Sequence, residues 1–285
     1  MKRVAILGPG LLGGSLALAL RDQGASRVSV WGRRPAAVEE VAQSGFADFA
    51  STDLQAVVEG AELVILCTPI GVMGELSRAF SPSLAPGALV TDVGSVKGPV
   101  VADLQAIFGG SAHFVGSHPM AGSEQTGWSA ARADLFQRSV CIVTPSPQTD
   151  GPAVQAITAF WESVGCSVRL LGPEEHDEVV AFVSHLPHLL AATLVAMVAE
   201  QKGNAFDFSG PGFRDTTRIA GGPPAMWTEI LQSNRAAVRK SAEAMIEKLR
   251  EIVTLLDRDS PDATQRMNQF LTEAKVHRDQ LRRPL

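Results

Sequence analysis

The feature that most constrains this fold is a glycine-rich turn close to the N-terminus. Residues 8–13 read Gly-Pro-Gly-Leu-Leu-Gly, the pattern GxGxxG, directly after an apolar run over residues 3–7. Between a strand and a helix, such glycines permit a tight turn and let the backbone approach a pyrophosphate. The N-terminus of the following helix favours the phosphate charge. Alone the pattern is a weak signal, but in this position it predicts a dinucleotide site formed by Gly8, Gly10, Leu11, Leu12 and Gly13.

The apolar pattern predicts an α/β fold with two domains. Up to residue 172, short β-branched runs alternate with amphipathic stretches, as parallel strands joined by helices do. The predicted strands span residues 3–7, 27–31, 62–68, 88–93, 113–117, 139–144 and 167–171. Long helical patterns follow over residues 174–202, 224–256 and 263 to about 282. We therefore expect an N-terminal Rossmann-type domain with a doubly wound parallel sheet over 1–172, and a C-terminal all-helical dimerisation domain over 173–285.

Composition and charge argue against several other classes of protein. Hydrophobic residues make up 45% and charged residues 19% of the 285 residues, as in a globular enzyme. A formal net charge of -5 gives no broad attraction to nucleic acid or to anionic lipid. Cys67, Cys141 and Cys166 lack a metal-binding spacing, and no run of about 18 residues is wholly apolar. We expect a cytoplasmic protein without a metal that acts on a small molecule.

The predicted helical domain carries more apolar surface than one thin layer of helices can bury. Its first helix alone contains Leu186, Leu189, Leu190, Leu194 and Met197. Apolar faces of this size are normally covered by a partner. The sequence therefore predicts a homodimer formed through the helical domain.

The end of the second predicted strand bears on the choice of cofactor. Chains that bind NAD place a carboxylate there, which accepts a hydrogen bond from the ribose 2′-hydroxyl. Here Gly32 is followed by Arg33 and Arg34 instead. Guanidinium groups suit a phosphate because they bind it bidentately. We expect NADP to be preferred over NAD, the alternative being a solvated basic turn.

Three polar segments follow predicted strands at their carboxyl ends, where ligands bind in sheets of this type. These segments are Thr68–Ile70, Asp92–Lys97 and Gly116–Glu124. We place Thr68 and Pro69 beside the cofactor. His118 can act as a base near neutral pH, and Lys97 can orient an anionic group or a ribose.

Together these segments resemble the prephenate/arogenate dehydrogenase family over nearly the whole chain. The matching motifs are GPGLLGGSLA, CTP, DVGSVK, GSHPMAGSE, EEHDEVVAFVSHLPH, and GFRDTTRIA followed by MW. SVK, HPMAG and SHLP followed by GFRDTTR, in this order, are far more specific than the glycine turn. The resemblance implies oxidative decarboxylation of prephenate, or of arogenate, with hydride transfer to NADP or NAD.

The resemblance also implies roles for single residues. His118 matches the catalytic histidine that assists deprotonation of the ring 4-hydroxyl as hydride leaves C4. Ser95 matches a serine that helps to position this histidine, and Arg218 matches an arginine that binds a substrate carboxylate. The other matched residues of the substrate pocket are Ser184, His188, Glu124, Asp215, Trp227 and Lys97, with Trp227 expected from the other subunit.

Some residues have a plainer interpretation or leave the substrate open. We expect His113, His176 and His185 to be structural, and only one of His185 and His188 to face the pocket. His188 and Glu124 resemble the prephenate-using branch, whereas the arginine pair resembles arogenate users, and we favour prephenate. Residues 221–224, Gly-Gly-Pro-Pro, depart from the family's polar turn and leave selection of the substrate side chain open.

Two other classes of function fit part of the pattern. A β-hydroxyacid dehydrogenase or imine reductase also joins a Rossmann domain to a helical dimer. Those enzymes carry a catalytic Lys or Asp in the helix between the domains, where this chain has residues 184–188, Ser-His-Leu-Pro-His. A non-enzymatic module that senses NADP is the third alternative, and failure to turn over either cyclohexadienyl substrate would favour it.

Overall fold

The computed structural model describes residues 1–22, 24, 27–110, 112–122, 125, 127–257 and 260–281. One sheet organises the N-terminal part of the chain. Its strands are β1 (Arg3–Leu7), β2 (Arg27–Trp31), β3 (Phe49–Ser51), β4 (Leu63–Leu66), β5 (Leu89–Asp92), β6 (His113–Pro119), β7 (Val140–Thr144) and β8 (Ser167–Leu170). They lie in the order β3-β2-β1-β4-β5-β6-β7-β8, the doubly wound arrangement that the sequence predicts.

The sheet differs from the prediction in two strands. The sequence does not predict β3, because a strand of three residues is too short to produce a recognisable apolar pattern. β7 runs antiparallel to β6, with His118 opposite Ile142, whereas the sequence predicts parallel strands throughout. Parallel neighbours need a long crossover, usually a helix. Between β6 and β7 the only helical element among the described residues is the short 3₁₀ turn Trp128–Ala130, so the chain reverses direction there.

Helices cover both faces of the sheet and continue beyond it. They are α1 (Leu11–Asp22), α2 (Pro35–Ser44), α3 (Leu54–Val58), α4 (Ile70–Phe80), α5 (Gly98–Phe108), α6 (Gly151–Ser163), α7 (Pro173–Val180), α8 (Leu186–Ala199), α9 (Pro211–Thr217), α10 (Pro224–Ser233), α11 (Arg235–Leu256) and α12 (Pro261–Gln280). One π-helical turn, Ala181–His185, joins α7 to α8. The long helix predicted over 224–256 is therefore two helices, which meet at Asn234.

The core lies in two layers because successive strand residues point to opposite faces of the sheet. In β1, Val4 and Ile6 pack with one cluster of buried residues, which includes Trp161 of α6. Ala5 and Leu7 pack with the other cluster, which includes Phe80 of α4. Burial on both faces explains why the central strands are almost continuously apolar.

The helical stretch Pro173–Ala199 is long and apolar enough to cross a membrane by length and composition alone. The sequence analysis did not predict this stretch as a possible span because polar residues interrupt its apolar run. Only 33% of the most apolar part of this stretch is buried within the chain. Large apolar side chains also remain exposed elsewhere in the helical domain, such as Leu249 and Val253 in α11.

Candidate active site

The three glycines of the turn after β1 have different surroundings. Two of them pack against the chain's own backbone, and the third borders open space. Gly8 has a φ of +121°, and a Cβ there would lie 2.5 Å from the carbonyl oxygen of Cys67. A Cβ on Gly13 would lie 2.1 Å from the carbonyl oxygen of Gly8. At Gly10, in contrast, no described atom lies within 4 Å of such a Cβ. This geometry fits a pyrophosphate held close to the backbone at the start of α1, where Leu11 and Leu12 form the first turn.

Two further features surround this turn. Thr68 follows β4, and its buried Oγ1 has no hydrogen-bond partner among the described residues. Such hydroxyl groups are rare in folded proteins, so this one fits a ligand that completes it. Pro69 precedes α4, and Arg33 and Arg34 are exposed between β2 and α2. The residues that the sequence assigns to the cofactor therefore lie at the carboxyl ends of β1, β2 and β4.

His118 lies in β6, close to its carboxyl end, and is 7% exposed. Its Nδ1 is 2.9 Å from Nε2 of His176, in α7 of the helical domain. Burial lowers the pKa of His118 well below its ordinary value, and the neighbouring His176, Lys97 and His185 lower it further. His118 is therefore neutral at pH 7, as a general base must be. The prediction that His176 is only structural misses this contact.

Lys97 is fully buried and forms part of the frame of the site. Its Nζ pairs with Asp92 and donates a hydrogen bond of 2.9 Å to the carbonyl oxygen of Ser117. Burial lowers the pKa of Lys97, and Asp92 opposes that effect. Without exposed surface Lys97 cannot contact a substrate in this conformation, which differs from its predicted role. Ser95, two residues earlier, is partly exposed in the same loop.

The turn between α7 and α8 brings two histidines to one tryptophan. The ring of His188 stacks on Trp227 with centroids 3.5 Å apart, and the ring of His185 lies edge-on to Trp227 at 6.3 Å. Residues three apart share one face of a helix, which explains why both rings contact Trp227. Which of the two histidines faces the substrate stays a prediction. Trp227 reaches His188 within one chain, and no second subunit is needed for that contact. Ser184, in the π-helical turn, is half-buried.

Arg218 and Asp215 belong to the segment that follows α8 and contains the 3₁₀ turn Arg218–Gly221. Asp215 is exposed in α9, and Arg218 is exposed at the start of the 3₁₀ turn Arg218–Gly221. Burial lowers the pKa of His188, and the nearby backbone of Ile219 partly offsets this. The turn that carries Arg218 is thus next to the His188 ring. Glu124, the remaining predicted site residue, lies outside the described residues.

Three groups at the site were not among the predicted functional residues. Asp92 binds Lys97 and accepts a hydrogen bond of 3.1 Å from the backbone N–H of Ser117. Asp177 accepts one of 2.7 Å from the backbone N–H of Lys97. Asn234 donates one of 2.8 Å to the carbonyl oxygen of Asp177. The motif EEHDE contains Asp177 and was the only sequence signal that pointed to it.

A glycine turn of the dinucleotide-binding type and a buried, neutral histidine, both at the carboxyl edge of one sheet, fit the class of nicotinamide-dependent dehydrogenases. Residues 16–170 match the family described as prephenate dehydrogenase, nucleotide-binding domain. Residues 172–273 match the family described as prephenate dehydrogenase, dimerization domain. The chain belongs to the prephenate dehydrogenase family.

Individual relatives agree with this assignment. A cyclohexadienyl dehydrogenase of Zymomonas mobilis is 34% identical over 90% of this chain and 88% of its own length. The crystal structure of prephenate dehydrogenase from Aquifex aeolicus, with hydroxyphenyl propionate and NAD+, is 33% identical, with a TM-score of 0.92 over 99% of each chain. Arogenate dehydrogenase from Synechocystis is 30% identical, with a TM-score of 0.81 over 96% of this chain and 99% of that one.

Proposed function

We propose that this chain oxidatively decarboxylates prephenate to 4-hydroxyphenylpyruvate in tyrosine biosynthesis, with hydride transfer to NADP or NAD. Residues 1–172 bind the dinucleotide, and residues 173–285 supply most of the substrate pocket and pair two chains as a homodimer. The observation that carries the proposal is the buried His118 on the same edge of the sheet as the glycine turn, with the turn of Arg218 next to His188. The family membership of the chain supports the same chemistry.

The reaction needs few groups from the protein because it makes an aromatic ring. A nicotinamide dinucleotide held at residues 8–13 would supply the acceptor for the hydride that leaves C4 of prephenate. His118 takes the proton of the C4 hydroxyl, and the bond from C1 to its carboxylate breaks. CO₂ leaves, and the electron pair of the broken bond stays with the ring and completes its aromatic system. The proton returns from His118 to the phenol oxygen. Arg218 binds a substrate carboxylate through its planar guanidinium group, and the pocket holds C4 towards the nicotinamide.

The arginine pair after β2 supports NADP as the preferred cofactor. Arg33 and Arg34 are exposed where the adenosine ribose binds in this fold, and they suit a 2′-phosphate. Changing both to alanine should lower the ratio of kcat/KM with NADP to kcat/KM with NAD. The matched control changes Arg239 and Arg250, two exposed arginines of α11, to alanine. An unchanged ratio in the Arg33, Arg34 variant would contradict this preference.

Arogenate is the second candidate substrate, and the Synechocystis relative acts on it by name. His188 favours prephenate because it resembles the prephenate-using branch of the family. We give it more weight than the arginine pair because residues of the pocket contact the substrate, whereas the arginine pair does not. Measuring kcat/KM for both substrates with both cofactors tests the whole proposal at once. We expect the highest value with prephenate and NADP. Turnover of neither substrate would refute the proposed function.

A further inference from the structure

We propose that His176 and Asp177 act as positioning residues, forming a relay behind His118 that holds it in the tautomer with a free Nε2. This inference rests on the proposed function because it deepens the role of the base. The relay joins the domains: His118 belongs to β6, whereas His176 and Asp177 belong to α7. The ring of His176 is fully buried, and Asp177 is 8% exposed.

Asp177 is the fixed end of the relay. Its Oδ1 accepts a hydrogen bond of 2.7 Å from the backbone N–H of Lys97, and its Oδ2 accepts one of 2.8 Å from the backbone N–H of Gly98. Both N–H groups lie at the start of α5, where a negative charge is stabilised. Asn234 donates to the carbonyl oxygen of Asp177 and holds its backbone as well. The carboxylate is therefore fixed as an acceptor.

This acceptor determines which ring nitrogens carry protons. Oδ1 of Asp177 is 2.8 Å from Nδ1 of His176, and a carboxylate can only accept, so that Nδ1 carries a proton. In a neutral imidazole the other nitrogen, Nε2, is then an acceptor. It lies 2.9 Å from Nδ1 of His118, which must donate. The remaining nitrogen of His118, Nε2, is left with its lone pair.

A free Nε2 is what the proposed reaction requires of its base. The proton of the C4 hydroxyl passes to Nε2, and His118 becomes an imidazolium while hydride leaves C4. Nε2 of His176 accepts the hydrogen bond from Nδ1–H of that cation, and the negative charge of Asp177 lies on the far side of the His176 ring. A buried carboxylate behind a histidine has this function in other enzymes, where it fixes the tautomer and stabilises the imidazolium. Burial of both rings keeps water from competing for these bonds.

The tautomer can be measured directly in the resting protein. Histidine labelled with ¹⁵N is incorporated into the full chain, and long-range ¹H–¹⁵N spectra distinguish protonated from unprotonated ring nitrogens. Loss of one set of signals in His118→Asn assigns the ring. We expect Nδ1 of His118 to carry the proton in the wild-type chain. A proton on Nε2 of His118 instead would overturn the proposal, whatever the activity.

Two variants of His176 separate a relay from a purely structural role. Leucine removes both ring nitrogens, whereas glutamine keeps one acceptor and one donor at a spacing close to theirs. We expect His176→Leu to lower kcat about tenfold or more, but by less than the loss of the whole base, which contributes ~10²–10⁴-fold. The substrate KM should change less than about twofold. His176→Gln should recover most of kcat. In His176→Leu, but not in His176→Gln, the ring of His118 should populate both tautomers, with the proton on Nδ1 or on Nε2.

Thermal unfolding and NADP binding of each variant control for loss of the fold. Equal kcat in His176→Leu and the wild-type chain would contradict the relay, as would equal kcat losses in both variants at unchanged stability. If His176→Leu does not fold, the tautomer of the wild-type chain still decides the question. Failure of the proposed function is a separate result, because a wild-type chain with the expected tautomer would then turn over neither substrate.

Discussion

The roles proposed for His118 and Arg218 differ, and their substitutions should therefore affect different kinetic constants. In the proposed mechanism His118 acts on a proton that moves only in the transition state, so His118→Asn should lower kcat by ~10²–10⁴-fold. In the same mechanism Arg218 binds a carboxylate before and during the reaction, so Arg218→Ala should mainly raise the substrate KM. Steady-state kinetics with prephenate measures both. An unchanged kcat in His118→Asn would remove His118 from the mechanism.

His185 should make the stability of the chain depend on pH. It is fully buried, and burial lowers its pKa to about 4 from an ordinary value of 6.5. Between pH 6.5 and 4, His185 therefore binds a proton in the unfolded chain but not in the folded chain. The stabilisation is present above pH 6.5 and is lost as the pH falls towards 4. Over this pH range the free energy of unfolding decreases by on the order of 3 kcal/mol.

Urea unfolding of the wild-type chain and of His185→Gln at pH 7.5 and pH 4.5 measures this effect. Other groups titrate in both chains, so the difference between the two pH dependences isolates His185. We expect the variant to lose less stability on acidification than the wild-type chain does. Identical losses would mean that His185 is protonated equally in the folded and unfolded states.

Lys97 shows why the roles of single residues were only partly predictable. A lysine after a strand is normally solvated, and the sequence assigns it to the substrate. The structure buries it because Asp92, five residues earlier, is placed within reach of its ammonium group. His176 is 58 residues from His118, and only docking of α7 on the sheet brings them together. Contacts of this kind do not appear in a local pattern.

At the scale of elements, the glycine turn allows two similar substitutions to be distinguished. A methyl group on Gly13 would clash with the carbonyl oxygen of Gly8, whereas no described atom would touch one on Gly10. We expect Gly13→Ala to lower thermal stability and NADP binding together. Gly10→Ala should keep its stability but bind NADP weakly, because the methyl group would occupy space needed by the pyrophosphate. Calorimetry of unfolding and of binding checks both, and normal NADP binding by Gly13→Ala would contradict the assigned turn.

The elements that the sequence predicts well are those whose causes are local. β1 and β2 agree in both bounds, since each is a short apolar run next to a glycine or a turn. The break at Asn234 is not local: helical periodicity continues across it, but the Asn234 side chain binds the Asp177 backbone and the His185 ring. Tertiary contacts override the helical pattern there.

At the scale of the whole molecule, exposed apolar residues on α11 form a stripe that a second copy is expected to cover. Ile246, Leu249, Val253 and Leu256 recur at spacings of three and four and are 47% to 72% exposed. Leu249→Glu with Val253→Glu should therefore dissociate the homodimer to a 30.1 kDa monomer, as measured by light scattering after gel filtration. Leu170→Glu is the control, because Leu170 is 56% exposed but lies in β8. Dissociation by the control alone would place the interface on the sheet edge instead.

The central claim is that the chain takes hydride from C4 of prephenate as CO₂ leaves. Prephenate carrying deuterium at C4 tests it most directly, with NADP or NAD as the acceptor and mass spectrometry of the reduced nicotinamide and of CO₂. The account predicts deuterium on the reduced nicotinamide and CO₂ in an equal amount. Reduced nicotinamide without deuterium, or formed without CO₂, would contradict it.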